Sequence, residues 1–190
     1  VVFSAYGFWL PNDPRGSWSR YIAARRLLSF GDLVHPKDRH SHADSQRAVQ
    51  RRFAAKRALL HPIVVFSGTQ AWCIAKEIGA TTALFGVRVY ALSVMPEHVH
   101  LVISSPPFSL RRFIGHIKSR ATKSLEKENL RPGVVVWSRN CWGVILDDGN
   151  DIRAASEYVM ENPITEGKRM QHWSFVRPLR YDQLNDVDAK

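Results

Sequence analysis

Between residues 87 and 103 the chain carries two apolar, β-branched runs, Val87-Arg88-Val89-Tyr90-Ala91-Leu92-Ser93-Val94 and His98-Val99-His100-Leu101-Val102-Ile103, separated by Met95-Pro96-Glu97. No other feature restricts the fold as much. Parallel strands need a crossover of a dozen residues or so, and only three turn residues are available, so the two runs must pair as an antiparallel hairpin. Every other element has to be arranged around that hairpin.

Helical and strand periods place the neighbours. Val1 to Leu10 reads as a strand, broken by the turn-rich Pro11-Asn12-Asp13-Pro14-Arg15-Gly16. Residues 17–60 are polar and basic and helical in part, with Val49, Phe53 and Leu60 at helical spacing before His61-Pro62 stops the run. Ile63 to Phe66 predicts a short strand. Ser67-Gly68-Thr69-Gln70 has the form of a capping box, and the helix it starts carries Trp72, Ala75, Ile78 and Gly79 and fades near Phe85-Gly86. A second helix runs from about Ser109 to Glu128, with Leu110, Phe113, Ile114, Ile117, Ala121 and Leu125 on one face and Arg112, His116, Lys118, Ser119, Lys123 and Lys127 on the other. Val134 to Trp137 reads as a strand whose pattern Gly143 to Leu146 continues. A last helix begins near Asp151 and is expected to stop at Pro163. The order predicts an α+β fold, a single antiparallel β-sheet with helices packed on it. It fits one domain over about 1–180 with a basic, partly helical insertion at about 17–60 and a C-terminal tail at 181–190.

Composition narrows the function classes. Hydrophobic residues make up 45% of the chain, enough for a core, which excludes wholesale disorder. No apolar run approaches the roughly 18 residues of a membrane span, and Val1-Val2-Phe3-Ser4 has no basic leader, so no membrane partner and no signal peptide are expected. Two cysteines, Cys73 and Cys141, cannot make a disulfide framework or a four-cysteine zinc site and fit a cytoplasmic setting. The formal net charge is +10 and it is clustered. Residues 20–60 hold ten basic side chains against three acidic ones, and residues 111–140 hold eight against two. Two basic blocks on a slightly acidic remainder are an electrostatic footprint for nucleic acid.

Four residues stand out for chemistry. His98 and His100 are two apart on a strand, so both imidazoles face the same side and make a bidentate platform for zinc, manganese, nickel or a similar ion. Two surface histidines would show the same spacing. Tyr158 and Asn162 are four apart and share one face of the last helix, where the small Ala154 leaves room for a ligand. His35, His40, His42 and His61 match no metal-ligand spacing and read as solvated loop residues.

Met95-Pro96-Glu97-His98-Val99-His100-Leu101-Val102-Ile103 resembles the histidine-hydrophobic-histidine (HUH) segment of single-tyrosine transposases. Tyr158-Val159-Met160-Glu161-Asn162-Pro163 resembles the tyrosine segment of their REP-associated (RAYT) branch. Trp137-Ser138-Arg139 is similar to the tryptophan segment between the two, and Ile117-Lys118-Ser119-Arg120 to the basic helix after the hairpin. The resemblance implies the HUH nuclease fold, a ferredoxin-like arrangement. It implies a site-specific single-strand DNA endonuclease and strand transferase that works through a 5′-phosphotyrosine, with Tyr158 as nucleophile. It further implies Mg²⁺ or Mn²⁺ on His98, His100 and Asn162, and single-stranded DNA with hairpin or palindromic ends as substrate. Arg111, Arg112, Lys118, Arg120, Lys123 and Arg139 would hold phosphates and Trp137 would stack a base; Trp142 is a second stacking candidate. A nucleoid-associated location follows from the same resemblance, and a homodimer is compatible with it. The alternatives are an HUH nuclease of replication or plasmid transfer and a domesticated single-stranded DNA-binding protein without cleavage.

Overall fold

The computed structural model describes residues 1–14, 16–17, 22, 25–35, 37 and 45–179. The tail 181–190 and parts of the 17–60 segment, His40 and His42 among them, lie outside the described residues. In chain order the elements are β1 (Val2–Ala5), a 3₁₀ turn (Arg25–Phe30), α1 (Gln46–Arg57), α2 (Gly68–Leu84), β2 (Val89–Val94), β3 (His98–Ile103), α3 (Leu110–Lys127), β4 (Trp137–Trp142) and α4 (Gly149–Thr165). The four strands form one open antiparallel sheet in the order β2-β3-β1-β4, and the α+β architecture expected from the element order is the one observed.

The hairpin forms as the turn chemistry requires. β2 and β3 pair antiparallel, from Val89 opposite Ile103 to Val94 opposite Val99, with a bulge between Val89 and Ala91. The Met95 N–H donates to the His98 carbonyl at 2.8 Å and closes the turn. Every residue of β2 is buried, and so are the first five of β3.

The chain divides into two compact units. One comprises Val1–Phe3, Val65–Pro132 and the described residues from Arg139 onward. Within it α2 packs on β2 and on α3, and α4 packs on β2 and β3. The α2 N-terminus is held by the expected capping box: the Gln70 N–H donates to the Ser67 hydroxyl and the Ser67 N–H to the Gln70 side chain. On α3, Phe113, Ile114, Ile117, Ala121 and Leu125 are all buried, as the spacing predicts. The other unit, Ser4–Val64 with Gly133–Ser138, is centred on Leu10, Leu27 and Ala55, with Ile22, Phe30 and Leu59 packed around them. There the Asn12 amide donates to the Leu27 carbonyl at 2.8 Å.

Three expectations are corrected. Val134–Val136 and Gly143–Leu146 are not strands; the strand is the polar stretch between them, Trp137–Trp142. Strand β4 ends the sheet order and much of it is exposed, so hydrophobic pattern does not mark it. Ile63–Phe66 is not a strand: Val64 donates to the Tyr6 carbonyl and Phe66 to that of Pro96, two unrelated segments, so no ladder forms. Pro163 does not end α4, which continues to Thr165. A proline deletes one ladder bond, the one to the carbonyl four residues back. In the last turn that loss is small, and the Glu166, Gly167 and Lys168 N–H groups close the helix end on the carbonyls of Asn162, Ile164 and Pro163.

Candidate active site

Strand alternation and one helix contact assemble the site. Val102 of β3 packs in a cluster with Tyr90, Ala91 and Val159 of α4, against which Ile152, Ala155, Met160, Leu146 and Leu179 also rest. His98 and His100 have the parity of Val102, so they stand on the α4-facing side of the sheet. Val99 and Leu101 have the other parity and are fully buried. The imidazoles sit with centroids 4.7 Å apart and rings at 75°. Both are largely buried, at 8% and 9% exposure. Burial holds the His98 pKa below its usual value, with Glu166 opposing and Lys168 adding to the shift. His100 is lowered to about 4, first by burial and then by the charges of His98 and the chain N-terminus. Both rings are therefore neutral near pH 7, the form in which an imidazole nitrogen can serve as a metal ligand.

Helix α4 supplies the other groups. Asp148 caps it, accepting from the Asp151 N–H at 2.8 Å. Val159 anchors it, and Tyr158 beside it is 61% exposed, with its ring 5.8 Å from that of His100 in an edge-on arrangement. One turn on, the Asn162 amide lies 3.5 Å from His100 Nε2. The Asn162 Oδ1 is buried with no hydrogen-bond partner. An unsatisfied buried amide oxygen beside two neutral imidazoles is costly unless something accepts its lone pair, and a divalent cation does so. The three side chains therefore fit such an ion. Exposed Ala154, a turn before Tyr158, leaves the approach open.

Two neighbours escaped the sequence reading. Ser93 lies opposite His100 in the β2–β3 register and so points to the same side; its hydroxyl is fully buried and makes no hydrogen bond. Its signal was the register itself, readable once the turn is fixed. Glu166, one turn beyond Asn162, places Oε1 4.0 Å from His98 Nε2 while its Oε2 meets Lys168 Nζ at 3.1 Å. It was hidden by the expectation that the helix stops at Pro163.

The expected phosphate binders make their contacts elsewhere. Arg111, Arg112 and Lys123 are exposed on α3. The Arg112 guanidinium lies over the Phe108 ring at 5.0 Å. Arg120 pairs with Glu77 at 3.4 Å. Lys118 is not on the solvent face of α3 but buried. Its Nζ donates to the Asn140 carbonyl at 2.8 Å and lies 5.5 Å from the centre of the Phe3 ring. Burial lowers its pKa to about 8, with Cys141 opposing. Arg139 is exposed on β4, Trp142 is 43% exposed and Trp137 is half-buried. His61 rests edge-on against Tyr6. Among the described residues no helix is long and apolar enough to cross a membrane.

Comparison with curated proteins and with solved structures found no match. A family model does match, over residues 64–162, and its description is "Transposase IS200 like". That stretch is just over half the chain and contains His98, His100, Tyr158 and Asn162. The chain therefore belongs to the IS200-like transposase family.

Proposed function

We propose that this transposase cleaves and rejoins single-stranded DNA through Tyr158, with a divalent ion, Mg²⁺ or Mn²⁺, held by His98, His100 and Asn162. One observation carries the reading: an exposed tyrosine, two neutral imidazoles and an unsatisfied amide oxygen meet on one side of β3. Each is common alone, but their convergence from two elements fits phosphoryl transfer better than any structural role.

In the proposed step the Tyr158 hydroxyl attacks phosphorus. The Oη–P bond forms, the P–O3′ bond breaks, the phenolic proton goes to solvent and the departing oxygen becomes a 3′-OH. The DNA stays on Tyr158 as a 5′-phosphotyrosine ester. Attack by a 3′-OH on that ester reverses the bond changes, so rejoining needs no ATP. A phenol with a pKa of roughly 10 is a weak nucleophile at neutral pH. The ion, when bound, polarises the phosphate and offsets the charge that builds on it. His98 and His100, fixed on a buried strand, and Asn162, fixed on α4, hold their donor atoms in place without rearrangement. Exposed Arg111, Arg112, Arg120, Lys123 and Arg139 are the proposed phosphate contacts, with Trp137 as the proposed stacking residue. Hairpin or palindromic ends are the proposed targets, as in the REP-associated branch.

The test is incubation with labelled single-stranded hairpin DNA and Mn²⁺ or Mg²⁺, followed by denaturing electrophoresis. A covalent protein–DNA adduct is expected, and Tyr158→Phe is expected to abolish it while keeping DNA affinity within about twofold. An adduct that persists in the phenylalanine variant overturns the assignment of the nucleophile.

A further inference from the structure

We infer that Glu166 is a further ligand of the ion proposed above, entering from the last turn of α4. The inference rests on that reading and extends it by one residue.

The geometry is a match between two periods. Alternate residues of a strand are about 6.6 Å apart, and residues four apart on a helix advance about 6 Å. A strand pair two apart and a helix pair four apart can therefore run side by side in step. Here they do: His100 Nε2 faces the Asn162 side chain, 3.5 Å from its amide nitrogen Nδ2, and His98 Nε2 faces Glu166 Oε1 at 4.0 Å. Two donors that share one ion, each about 2.1 Å from it, stand no more than about 4.2 Å apart. The His98 Nε2–Glu166 Oε1 pair, at 4.0 Å, lies inside that limit.

As the side chains stand, His98, His100 and Glu166 are not gathered into a closed three-residue cluster among the described residues. The carboxylate is near the outer limit and leans on Lys168 through its other oxygen, Oε2. Its side chain is 42% exposed, so a small torsional change moves it without disturbing the core. Oε1 already faces the histidine.

The chemistry gives the carboxylate a purpose. Two neutral imidazoles and an amide carry no charge, a set that favours later transition metals over hard cations. Mg²⁺ is held mainly through carboxylates and water, and carboxylate oxygen suits Mn²⁺ as well. Glu166 brings the missing negative charge, so it decides which ion the site takes. Lys168 is then a competitor for the same group, released when an ion binds.

The test is direct metal binding by the full chain without DNA, with Mn²⁺ followed by electron paramagnetic resonance and Mg²⁺ and Zn²⁺ by calorimetry. Glu166→Gln is expected to weaken Mn²⁺ and Mg²⁺ by at least about tenfold, in the range lost when groups that support a metal site are removed. Zn²⁺, which suits the imidazoles, should change less. Thermal melting in EDTA should be nearly the same in both proteins, because an exposed ion pair contributes little. If Glu166→Gln titrates with Mn²⁺ like the parent while His100→Gln loses the ion, Glu166 is not a ligand and the three-residue site stands. If the parent itself binds none of the three ions, both this inference and the metal-dependent reading fall.

Discussion

Replacing Lys118 by methionine is expected to leave stability at pH 7 almost unchanged but to change how stability depends on pH. The side chain is 9% exposed, and its ammonium donates to the Asn140 carbonyl and lies over the Phe3 ring. Two terms oppose each other. A hydrogen bond from a charged group contributes about 1.5–3 kcal/mol. Holding the charge out of water costs about 3 kcal/mol, from a pKa lowered to about 8 against the ordinary 10.5. Methionine removes both terms and keeps most of the packing volume, so the net change at pH 7 is within about 1 kcal/mol. Above pH 8 the folded protein loses the Lys118 proton while the unfolded chain keeps it up to about 10.5. The unfolded state then binds more protons, so raising the pH stabilises the fold. By pH 9.5 the parent should gain about 2 kcal/mol from this group, and Lys118→Met should gain none of it. Urea unfolding of both proteins at pH 7 and pH 9.5 measures the difference. Parallel pH profiles would refute the buried, depressed lysine. The same variant separates Lys118 from the phosphate contacts: a buried ammonium releases no counterion, so the salt dependence of DNA binding should not change.

Arg111 is the opposite case. Exposed on α3, its loss in Arg111→Ala should reduce the log–log salt slope of single-stranded DNA binding by about 0.7, and an unchanged slope would remove it from the interface. His100, with its pKa lowered to about 4, stays neutral in the fold at pH values where the unfolded chain is already protonated. Stability should therefore fall as pH drops from 6.5 towards 4, by up to about 3 kcal/mol, and His100→Gln should show a shallower fall in urea titrations at pH 7 and 4.5. Ser93→Ala removes a buried hydroxyl that has no partner, so chemical denaturation should show no loss of stability, and a drop of more than about 1 kcal/mol would mean the hydroxyl is bonded.

The central hairpin and the helices were legible because each is fixed by local information. Three turn residues between Val94 and His98 allow only antiparallel pairing, and the His98/His100 pair follows from the period of two. The spacing of Phe113, Ile114, Ile117, Ala121 and Leu125 names the buried face of α3. The same helical rule misplaced Lys118, which lies next to Ile117 at the border of the apolar stripe. A long side chain there reaches inward if a carbonyl is available, and the Asn140 carbonyl comes from β4, which no local rule could supply. β4 itself was missed because edge strands need no hydrophobic alternation; Ser138 pairs instead with the Ser4 hydroxyl at 2.9 Å.

The position of Pro163 decided how much of the site was visible. Read as a stop, it ends α4 at Asn162 and leaves the tyrosine and one amide as the helix's whole contribution. In the structure the bond that proline cannot make would have gone to Val159, and losing it near the helix end leaves the last turn intact. That extra turn carries Glu166 to His98. Proline therefore acts here on one hydrogen bond, not on the helix, and a carboxylate reaches a strand that the sequence pattern had placed beyond it. The cost of the arrangement is local. Asn162 Oδ1 and the Ser93 hydroxyl, both on the side of β3 that faces α4, are buried without partners. Folding alone gives no reason to gather unsatisfied acceptors around two neutral imidazoles, because each raises the energy of the native state. A site that must present free lone pairs to a cation requires that arrangement, so the least satisfied part of the sheet and its chemically most capable part coincide.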